Sequence, residues 1–335
     1  MVTAVVAALA NVARDVAHLP GPRQACRGCG RDEAVLADRD DGAVVRHGVA
    51  VAKAHAPGTD PDAHRARLAV AAHPALAGIL LPPLPVRVRD VRGRPVTAWP
   101  YGVPVDPADP DAAPWEDAAN LLARLHSVEP AALPGPLPPM RGPAKVARAV
   151  ARMDAAAAQH AGQSAAQSAG QHTAIATVRR AWHRLPAWAR DEAPSPRART
   201  LCHGDLHLGQ LVRHPAPAGP WLLIDVDDLG LGDPAWDLAR PAAWYAAGLL
   251  PPEIWGRFIG AYTNAKGPAV PAGPGRDPWP QLDVPARALT VQTAALALAK
   301  AAEEGREPDE VDHLVIDACA RIAALPPELE FEPPS

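Results

Sequence analysis

Two neighbouring stretches decide the fold of this chain: Leu201-Cys-His-Gly-Asp-Leu-His-Leu-Gly-Gln-Leu-Val-Arg213 and Trp221-Leu-Leu-Ile-Asp-Val-Asp-Asp-Leu-Gly-Leu-Gly-Asp-Pro-Ala-Trp-Asp-Leu-Ala239. The apolar runs 211–213 and 221–224 flank a segment rich in proline and glycine, which predicts two strands joined by a hairpin-like connection. Pairing of these strands would bring Gln210 close to Asp225, with Asp205 on the loop that leads in. The sequence therefore predicts two carboxylates and an amide at one end of a small ribbon.

Such a group of side chains suits phosphoryl transfer, in which a protein positions a hydroxyl nucleophile and holds a divalent metal against a triphosphate. The pattern His203-Gly-Asp-x-x-x-x-Gln210 is followed by Ile-Asp225 and then by Gly-Asp-Pro-x-x-Asp237. In this pattern the chain closely resembles the aminoglycoside phosphotransferase and choline kinase-like families, which are relatives of the protein kinases. The resemblance implies an α+β, bilobal protein-kinase-like fold with a small N-terminal lobe, built on an antiparallel sheet, and a larger, mainly helical C-terminal lobe.

The resemblance also implies roles for single residues. Asp205 is implied to be the catalytic base, on a loop that His203 supports and Asp237 braces, while Gln210 and Asp225 are implied to bind Mg²⁺. The families usually have Asn where this chain has Gln210, and a carboxamide oxygen of either residue can ligate the ion. The cofactors implied are Mg²⁺ and ATP, or GTP, as the phosphate donor.

Other interpretations of the same stretch stay open. The run His207-Leu-Gly-Gln210 is also similar to the catalytic loop of bacterial maltokinases, in which Gln is usual, so a sugar kinase is an alternative. A hydrolase metal site would instead place His203, Asp205 and His207 on one face of a strand and add Asp225. The glycines at positions 204 and 209 favour a loop over that strand. A pseudokinase that binds nucleotide without turnover is the non-enzymatic alternative.

The N-terminal third carries two features of a nucleotide-binding lobe. Gly28-Cys-Gly30 lies between a predicted helix and a strand-like segment, where a kinase-like fold places the loop that covers the phosphates of ATP; an ordinary hairpin turn is the alternative. A strand predicted from residue 43 ends at Lys53, which the resemblance implies neutralises the α- and β-phosphates. The glutamate that usually pairs with this lysine is absent from the next predicted helix, over residues 60–72.

A strand predicted over residues 95–105 ends in Trp99-Pro-Tyr101-Gly-Val-Pro, which looks like the hinge whose backbone reads the adenine edge. Prolines break a sheet and fix an extended exit. The resemblance to the hinge implies that Trp99 and Tyr101 contact the nucleotide. The expected division is a nucleotide-binding lobe over 1–98, a hinge over 99–106 and a catalytic, acceptor-binding lobe over 107–335.

Composition limits the partners of this protein. The 335 residues, 48% hydrophobic and 21% charged, predict a soluble globular protein, and a net charge of −4 gives no electrostatic case for nucleic acid or membrane. No apolar run is long enough to span a bilayer and no secretion signal is recognisable, so a cytoplasmic monomer or homodimer is expected. The expected function is Mg²⁺-dependent transfer of the γ-phosphate of ATP or GTP to a hydroxyl of a small molecule: an aminoglycoside or related antibiotic, a sugar or an amino alcohol.

Overall fold

The structure is a computed structural model that describes residues 4–18, 33–39, 41–85, 89–110, 112–159, 165–273 and 275–325. The chain divides into two compact units. The first unit takes its described residues from Met1–Leu121, Val128–Pro138 and Leu208–Asp227, and the second takes them from Leu122–Ser127, Pro139–His207 and Asp228–Ser335.

The first unit contains a five-stranded sheet. Its strands are β1 (Glu33–Arg39), β2 (Gly42–His47), β3 (Ala50–Ala54), β4 (Arg89–Val91) and β5 (Arg94–Pro100). They run in the order β1-β2-β3-β5-β4, and every neighbouring pair is antiparallel. Helix α1 (Ala4–Ala17) buries Leu9 and Val12 against Val45 and Ala52 of this sheet. These elements confirm the antiparallel sheet expected in the N-terminal part of the chain.

The segment predicted as a single strand from residue 43 to Lys53 is a hairpin instead. Strands β2 and β3 pair around Gly48, whose φ of 58° is a left-handed conformation that glycine adopts without steric cost. Apolar residues continue on both sides of this turn, so hydrophobicity alone did not reveal it. The prolines at 82, 83 and 85 lack the amide hydrogen that a sheet ladder needs, and β4 is described from Arg89.

The remaining strands form two small sheets. They are β6 (Val103–Pro104), β7 (Thr200–Cys202), β8 (Leu211–Arg213), β9 (Trp221–Leu223) and β10 (Gly230–Gly232). The first unit holds an antiparallel sheet in the order β6-β8-β9, and the second unit holds the antiparallel pair of β7 and β10. Leu211 lies opposite Leu223 and Val212 opposite Leu222, which confirms the predicted hairpin.

The second unit is mainly helical, as expected. The other helices of the described chain are α2 (Pro61–Ala71), α3 (Trp115–His126), α4 (Gly142–Gln159), α5 (Ala165–His183), α6 (Ala235–Ala246), α7 (Pro252–Asn264), α8 (Trp279–Glu304) and α9 (Glu310–Ala323). Helix α8 is buried along most of its length and packs against α4, α5, α6 and α9. Packing on α8 therefore fixes α4 and α6, the two helices whose side chains contact Asp205.

Across the described helices, none combines the length and the hydropathy that a bilayer crossing requires.

Candidate active site

Lys53 lies at the centre of an ion-pair network in the first unit. Its Nζ is 2.6 Å from Asp225 Oδ1 and 3.0 Å from Asp227 Oδ2. Burial favours the neutral amine, but the two carboxylates outweigh burial and raise the pKa of Lys53 above its ordinary value. Lys53 is therefore a fixed cation, and Asp227 provides a carboxylate partner in place of a glutamate on the helix over residues 60–72.

A chain of hydrogen bonds holds Asp227 from its other side. His55 Nδ1 is 2.8 Å from Asp227 Oδ1, and His55 Nε2 is 2.7 Å from Thr97 Oγ1. Trp99 Nε1 donates to Thr97 Oγ1 over 2.9 Å. A His55 tautomer with its proton on Nδ1 satisfies the whole chain, because it donates to the carboxylate and accepts from the threonine hydroxyl. Asp227 is thus fixed between His55 and Lys53, and the Trp99 indole is held by its hydrogen bond to Thr97.

Asp225 and Gln210 adjoin at the end of the β8–β9 hairpin. Ile224 N donates to Gln210 O over 2.9 Å, so the side chains of Gln210 and Asp225 leave from adjoining backbone positions. Asp225 has a φ of 65°, a left-handed conformation that is uncommon outside glycine and recurs at functional sites. Gln210 is buried, whereas the Asp225 side chain is 34% exposed. A carboxylate and a carboxamide are the hard oxygen donors that Mg²⁺ prefers, so this donor set fits the ion.

Asp237, in the first turn of α6, holds the loop that follows β7 in the second unit. It accepts hydrogen bonds from the backbone amides of His203 and Gly204, over 2.6 and 2.7 Å, and His126 Nε2 lies 2.9 Å from it. The His203 side chain is completely buried. Gly204 has a φ of 85°, and a Cβ at this position would lie 2.4 Å from the carbonyl oxygen of Asp228. Only glycine fits here, and the loop conformation is set by Asp237.

Asp205, on the same loop, has two cationic partners. Lys145 Nζ from α4 lies 2.6 Å from Asp205 Oδ2, and Arg240 Nη2 from α6 lies 2.8 Å from Asp205 Oδ1. Burial raises the pKa of Asp205, but Lys145 and then Arg240 oppose burial and lower it to about 2. Arg240 Nε also donates to the carbonyl of Leu206 over 3.1 Å. Asp205 is therefore an anionic hydrogen-bond acceptor at neutral pH.

The alternative of a hydrolase metal site finds no support. Strand β7 ends at Cys202, so residues 203–207 form a loop without the alternating faces which that site requires. In the described part of the chain, side chains with converging metal-ligand atoms form two groups: His55, His64 and Asp227; and His126, Cys202 and Asp237. Neither group includes Asp205 or His207.

Tyr101, in the predicted hinge, has both backbone polar groups engaged within the first unit. Its amide donates to Val49 O over 2.8 Å, and its carbonyl accepts from His214 Nδ1 over 3.1 Å. Its ring stacks against the Arg46 guanidinium, 3.5 Å from the ring centroid. A nucleotide that contacts the backbone of the predicted hinge therefore uses groups other than the amide and carbonyl of Tyr101.

Several neighbours of the predicted site residues were not foreseen. Lys145 and Arg240 lie on separate helices far from Asp205 in sequence, and nothing local marks either of them. Asp227 could have been found, because it follows Asp225 by two positions and so lies close to it on a short turn. Gly28 and Gly30, expected in the loop over the phosphates, lie outside the described residues.

Comparisons with known proteins agree with this fold. The chain resembles a choline/ethanolamine kinase family protein from Mesorhizobium loti, with a TM-score of 0.50 and 18% identity over 94% of this chain and 95% of that one. It resembles spectinomycin phosphotransferase APH(9)-Ia, solved with ADP and spectinomycin, with a TM-score of 0.57 and 13% identity over 84% and 92% of the two chains.

A third similar structure is a thermostable mutant of aminoglycoside phosphotransferase APH(4)-Ia with AMP-PNP and hygromycin B, with a TM-score of 0.54 and 16% identity over 88% of this chain and 94% of that one. A comparison with curated proteins gave no significant match. The model of the phosphotransferase enzyme family matches residues 37–284, which is well over half of the chain. The chain therefore belongs to the phosphotransferase enzyme family: it has the kinase-like fold and is a small-molecule kinase that acts on hydroxyl groups.

Proposed function

We propose that this protein uses Mg²⁺ to transfer the γ-phosphate of ATP to a hydroxyl of a small molecule. The observation that carries this proposal is the 2.6 Å contact between Lys53 and Asp225, with Gln210 adjoining. A fixed cation beside two oxygen donors suits a nucleotide phosphate with its metal. ATP is preferred as donor because two proteins of the same fold were solved with ADP and AMP-PNP.

The two carboxylates that share Lys53 have different tasks in this proposal. Asp227 is fixed by His55 at 2.8 Å and remains with Lys53, so that the ammonium stays oriented toward the phosphates. Asp225 is one-third exposed and, with Gln210, holds Mg²⁺. When bound, Mg²⁺ neutralises charge on the phosphates. His55 and Asp227 are positioning residues: they orient the Lys53 ammonium, which is usually the role of a helix glutamate.

Strand β5 offers a carbonyl for the adenine edge. Because Tyr101 pairs with Val49, the alternation of an antiparallel ladder turns the carbonyls of Ala98 and Pro100 away from β3. Leu84 N donates a hydrogen bond to the Ala98 carbonyl over 2.9 Å. The Pro100 carbonyl is the next acceptor along this edge, and in this proposal it accepts a hydrogen bond from the amino group of adenine.

Asp205 orients the acceptor hydroxyl. In the transfer, the hydroxyl oxygen forms a bond to the γ-phosphorus, the bond from that phosphorus to the bridging oxygen breaks, ADP leaves and the hydroxyl proton passes to Asp205. A carboxylate with a pKa of about 2 is a weak base. Asp205 therefore contributes mainly by accepting a hydrogen bond, and takes the proton late, which suits a loose transition state. Asp237 keeps the loop in place.

The metal assignment is tested by the binding of Mn²⁺ with ATP, followed by electron paramagnetic resonance. We expect wild-type protein to bind Mn²⁺-ATP, and Asp225→Ala to lose at least about tenfold in affinity for the metal, because it loses a charged ligand. Asp62→Ala, which removes an exposed carboxylate on α2, is the matched control and should behave as wild type. An Asp225→Ala protein that binds Mn²⁺-ATP as tightly as wild type would refute the assignment.

A further inference from the structure

Lys145, on α4, is the nearer of the two cations that contact the Asp205 carboxylate. Its Nζ lies 2.6 Å from Asp205 Oδ2, whereas Arg240 Nη2 lies 2.8 Å from Asp205 Oδ1. A hydroxyl that donates a hydrogen bond to Oδ2 lies no more than about 6 Å from the Lys145 ammonium, because each hydrogen bond spans about 3 Å. Lys145 is therefore within reach of the atoms that react at Asp205.

Asp228 holds the ammonium of Lys145 from its other side. Its Oδ2 lies 2.8 Å from Lys145 Nζ, and its Oδ1 lies 3.2 Å from Arg141 Nε. The backbone carbonyl of Asp228 accepts a hydrogen bond from Arg141 N over 3.2 Å and packs against Gly204 of the catalytic loop. Asp228 is thus fixed by its own contacts, and it gives Lys145 a carboxylate partner that takes no part in the reaction.

One N–H donor of Lys145 is free. An ammonium group has three such donors. Two of them serve Asp205 and Asp228, and the described part of the chain supplies no acceptor for the third. The Lys145 side chain is 20% exposed, so this donor is open to a ligand. Arg240 is more restricted, because its guanidinium also donates to the backbone carbonyl of Leu206.

The charges in and around the catalytic loop balance before the reaction. With the histidines neutral, the described residues there comprise four carboxylates and four cations: Asp191, Asp205, Asp228 and Asp237, and Arg141, Lys145, Arg148 and Arg240. Once Asp205 has accepted the hydroxyl proton, one positive charge is in excess, and Lys145 has lost one of its two carboxylate partners. The phosphoryl group, which is negatively charged and bonds to the same hydroxyl oxygen, can replace that partner.

We propose that Lys145 is a catalytic residue that donates a hydrogen bond to the phosphoryl group as it passes to the acceptor. This inference rests on the proposed kinase function. The acceptor oxygen bonds to the γ-phosphorus, the bond to the bridging oxygen breaks, its electron pair leaves on ADP, and the hydroxyl proton passes to Asp205. Lys145 stays paired with Asp228 and exchanges its contact with Asp205 for one with a phosphoryl oxygen. A preorganised donor of this kind stabilises the transition state more than the ground state.

Lys145 also lowers the basicity of Asp205, and this effect alone predicts the opposite result for the same variant. Removal of Lys145 raises the pKa of Asp205 toward the ordinary aspartate value, so the carboxylate becomes a stronger base and is still ionised at pH ~8. If Lys145 did nothing else, Lys145→Met should transfer the phosphoryl group at least as fast as wild type at this pH. A direct donor predicts slower transfer.

The test is the hydrolysis of Mg²⁺-ATP by the purified full chain at pH ~8, where Asp205 is ionised in every variant. Water takes the place of the acceptor hydroxyl in this reaction, so the acceptor need not be identified. We expect Lys145→Met to lower kcat by a factor of about 10²–10³ and to change KM for ATP by less than about twofold. Lys145→Arg, which keeps charged N–H donors, should lose less. Lys300→Met makes the same change at an exposed lysine of α8 and should behave as wild type.

Chemical rescue separates a missing donor from a structural defect. In Lys145→Ala, added ethylammonium should raise kcat by at least about tenfold, because it supplies the absent N–H donors. Tetramethylammonium carries the same charge without an N–H group and should not raise kcat. Circular dichroism confirms that the variants fold.

Two results would overturn the inference. One is that Lys145→Met hydrolyses Mg²⁺-ATP at least as fast as wild type, and the other is that ethylammonium leaves the rate of Lys145→Ala unchanged. Binding of Mg²⁺-ATP is measured on the same samples. Failure of the wild-type protein to bind Mg²⁺-ATP would count instead against the proposed kinase function.

Discussion

Lys145 and Arg240 bind the two oxygens of Asp205, and these contacts determine what this carboxylate can do. Each cation comes from a different helix, so the carboxylate is held in one orientation. Because its pKa lies at about 2, Asp205 stays ionised throughout the neutral range. It can therefore accept a hydrogen bond from an alcohol at any physiological pH. His207 and Asp228 lie close to the same group of charges.

Lys145→Met should raise the pKa of Asp205 from about 2 toward the ordinary aspartate value of about 3.9, because the nearer cation is removed. Asp205 works as an anion, so the acid limb of kcat/KM should move to higher pH in this variant, and Lys145→Arg should keep the limb low. The pH–rate profile checks this between pH ~3 and ~7. The ion pairs stabilise the folded protein fully above the unfolded pKa, and that stabilisation is lost as the pH falls through about 2. An acid limb in Lys145→Met that coincides with the wild-type limb would contradict the pairing.

At the scale of elements, two side chains of α6, Asp237 and Arg240, tie this helix to the loop that carries Asp205. Asp237 is completely buried and accepts hydrogen bonds from two loop amides and from His126. Helix α6 is itself packed against α8. The loop that carries Asp205 is therefore fixed to the helical core of the second unit.

Asp237→Ala should destabilise the protein by about 3–5 kcal/mol, because it leaves buried donors and His126 without their acceptor. Asp237→Asn should cost less, since its carboxamide oxygen can still accept one of these hydrogen bonds. Unfolding in urea measures both changes, and Asp62→Ala serves as an exposed control that should leave stability within about 0.5 kcal/mol of wild type. A loss of less than about 1 kcal/mol in Asp237→Ala would show that the loop is held by other contacts.

Over the whole molecule, features encoded by neighbouring residues were predictable and features made by distant packing were not. The β8–β9 hairpin, α3 and the brace by Asp237 follow from local patterns or from the motif. Helix α2 has no glutamate for Lys53, whose carboxylate partners are Asp225 and Asp227, because ion pairing requires proximity in space and not a particular helix. The turn at Gly48 was missed for a different reason, since both of its flanking strands are apolar.

The measurement to make first is ADP release from Mg²⁺-ATP by purified wild-type protein and by Asp205→Ala, over hydroxy acids, sugar phosphates, sugars, amino alcohols and aminoglycosides. We predict release that depends on one class of acceptor and falls by a factor of about 10²–10⁴ in Asp205→Ala, while ATP binding is retained. Equal acceptor-dependent release by the two proteins would contradict the role of Asp205. If the wild-type protein binds ATP but shows no acceptor-dependent release of ADP, this result would contradict the kinase function and favour a pseudokinase.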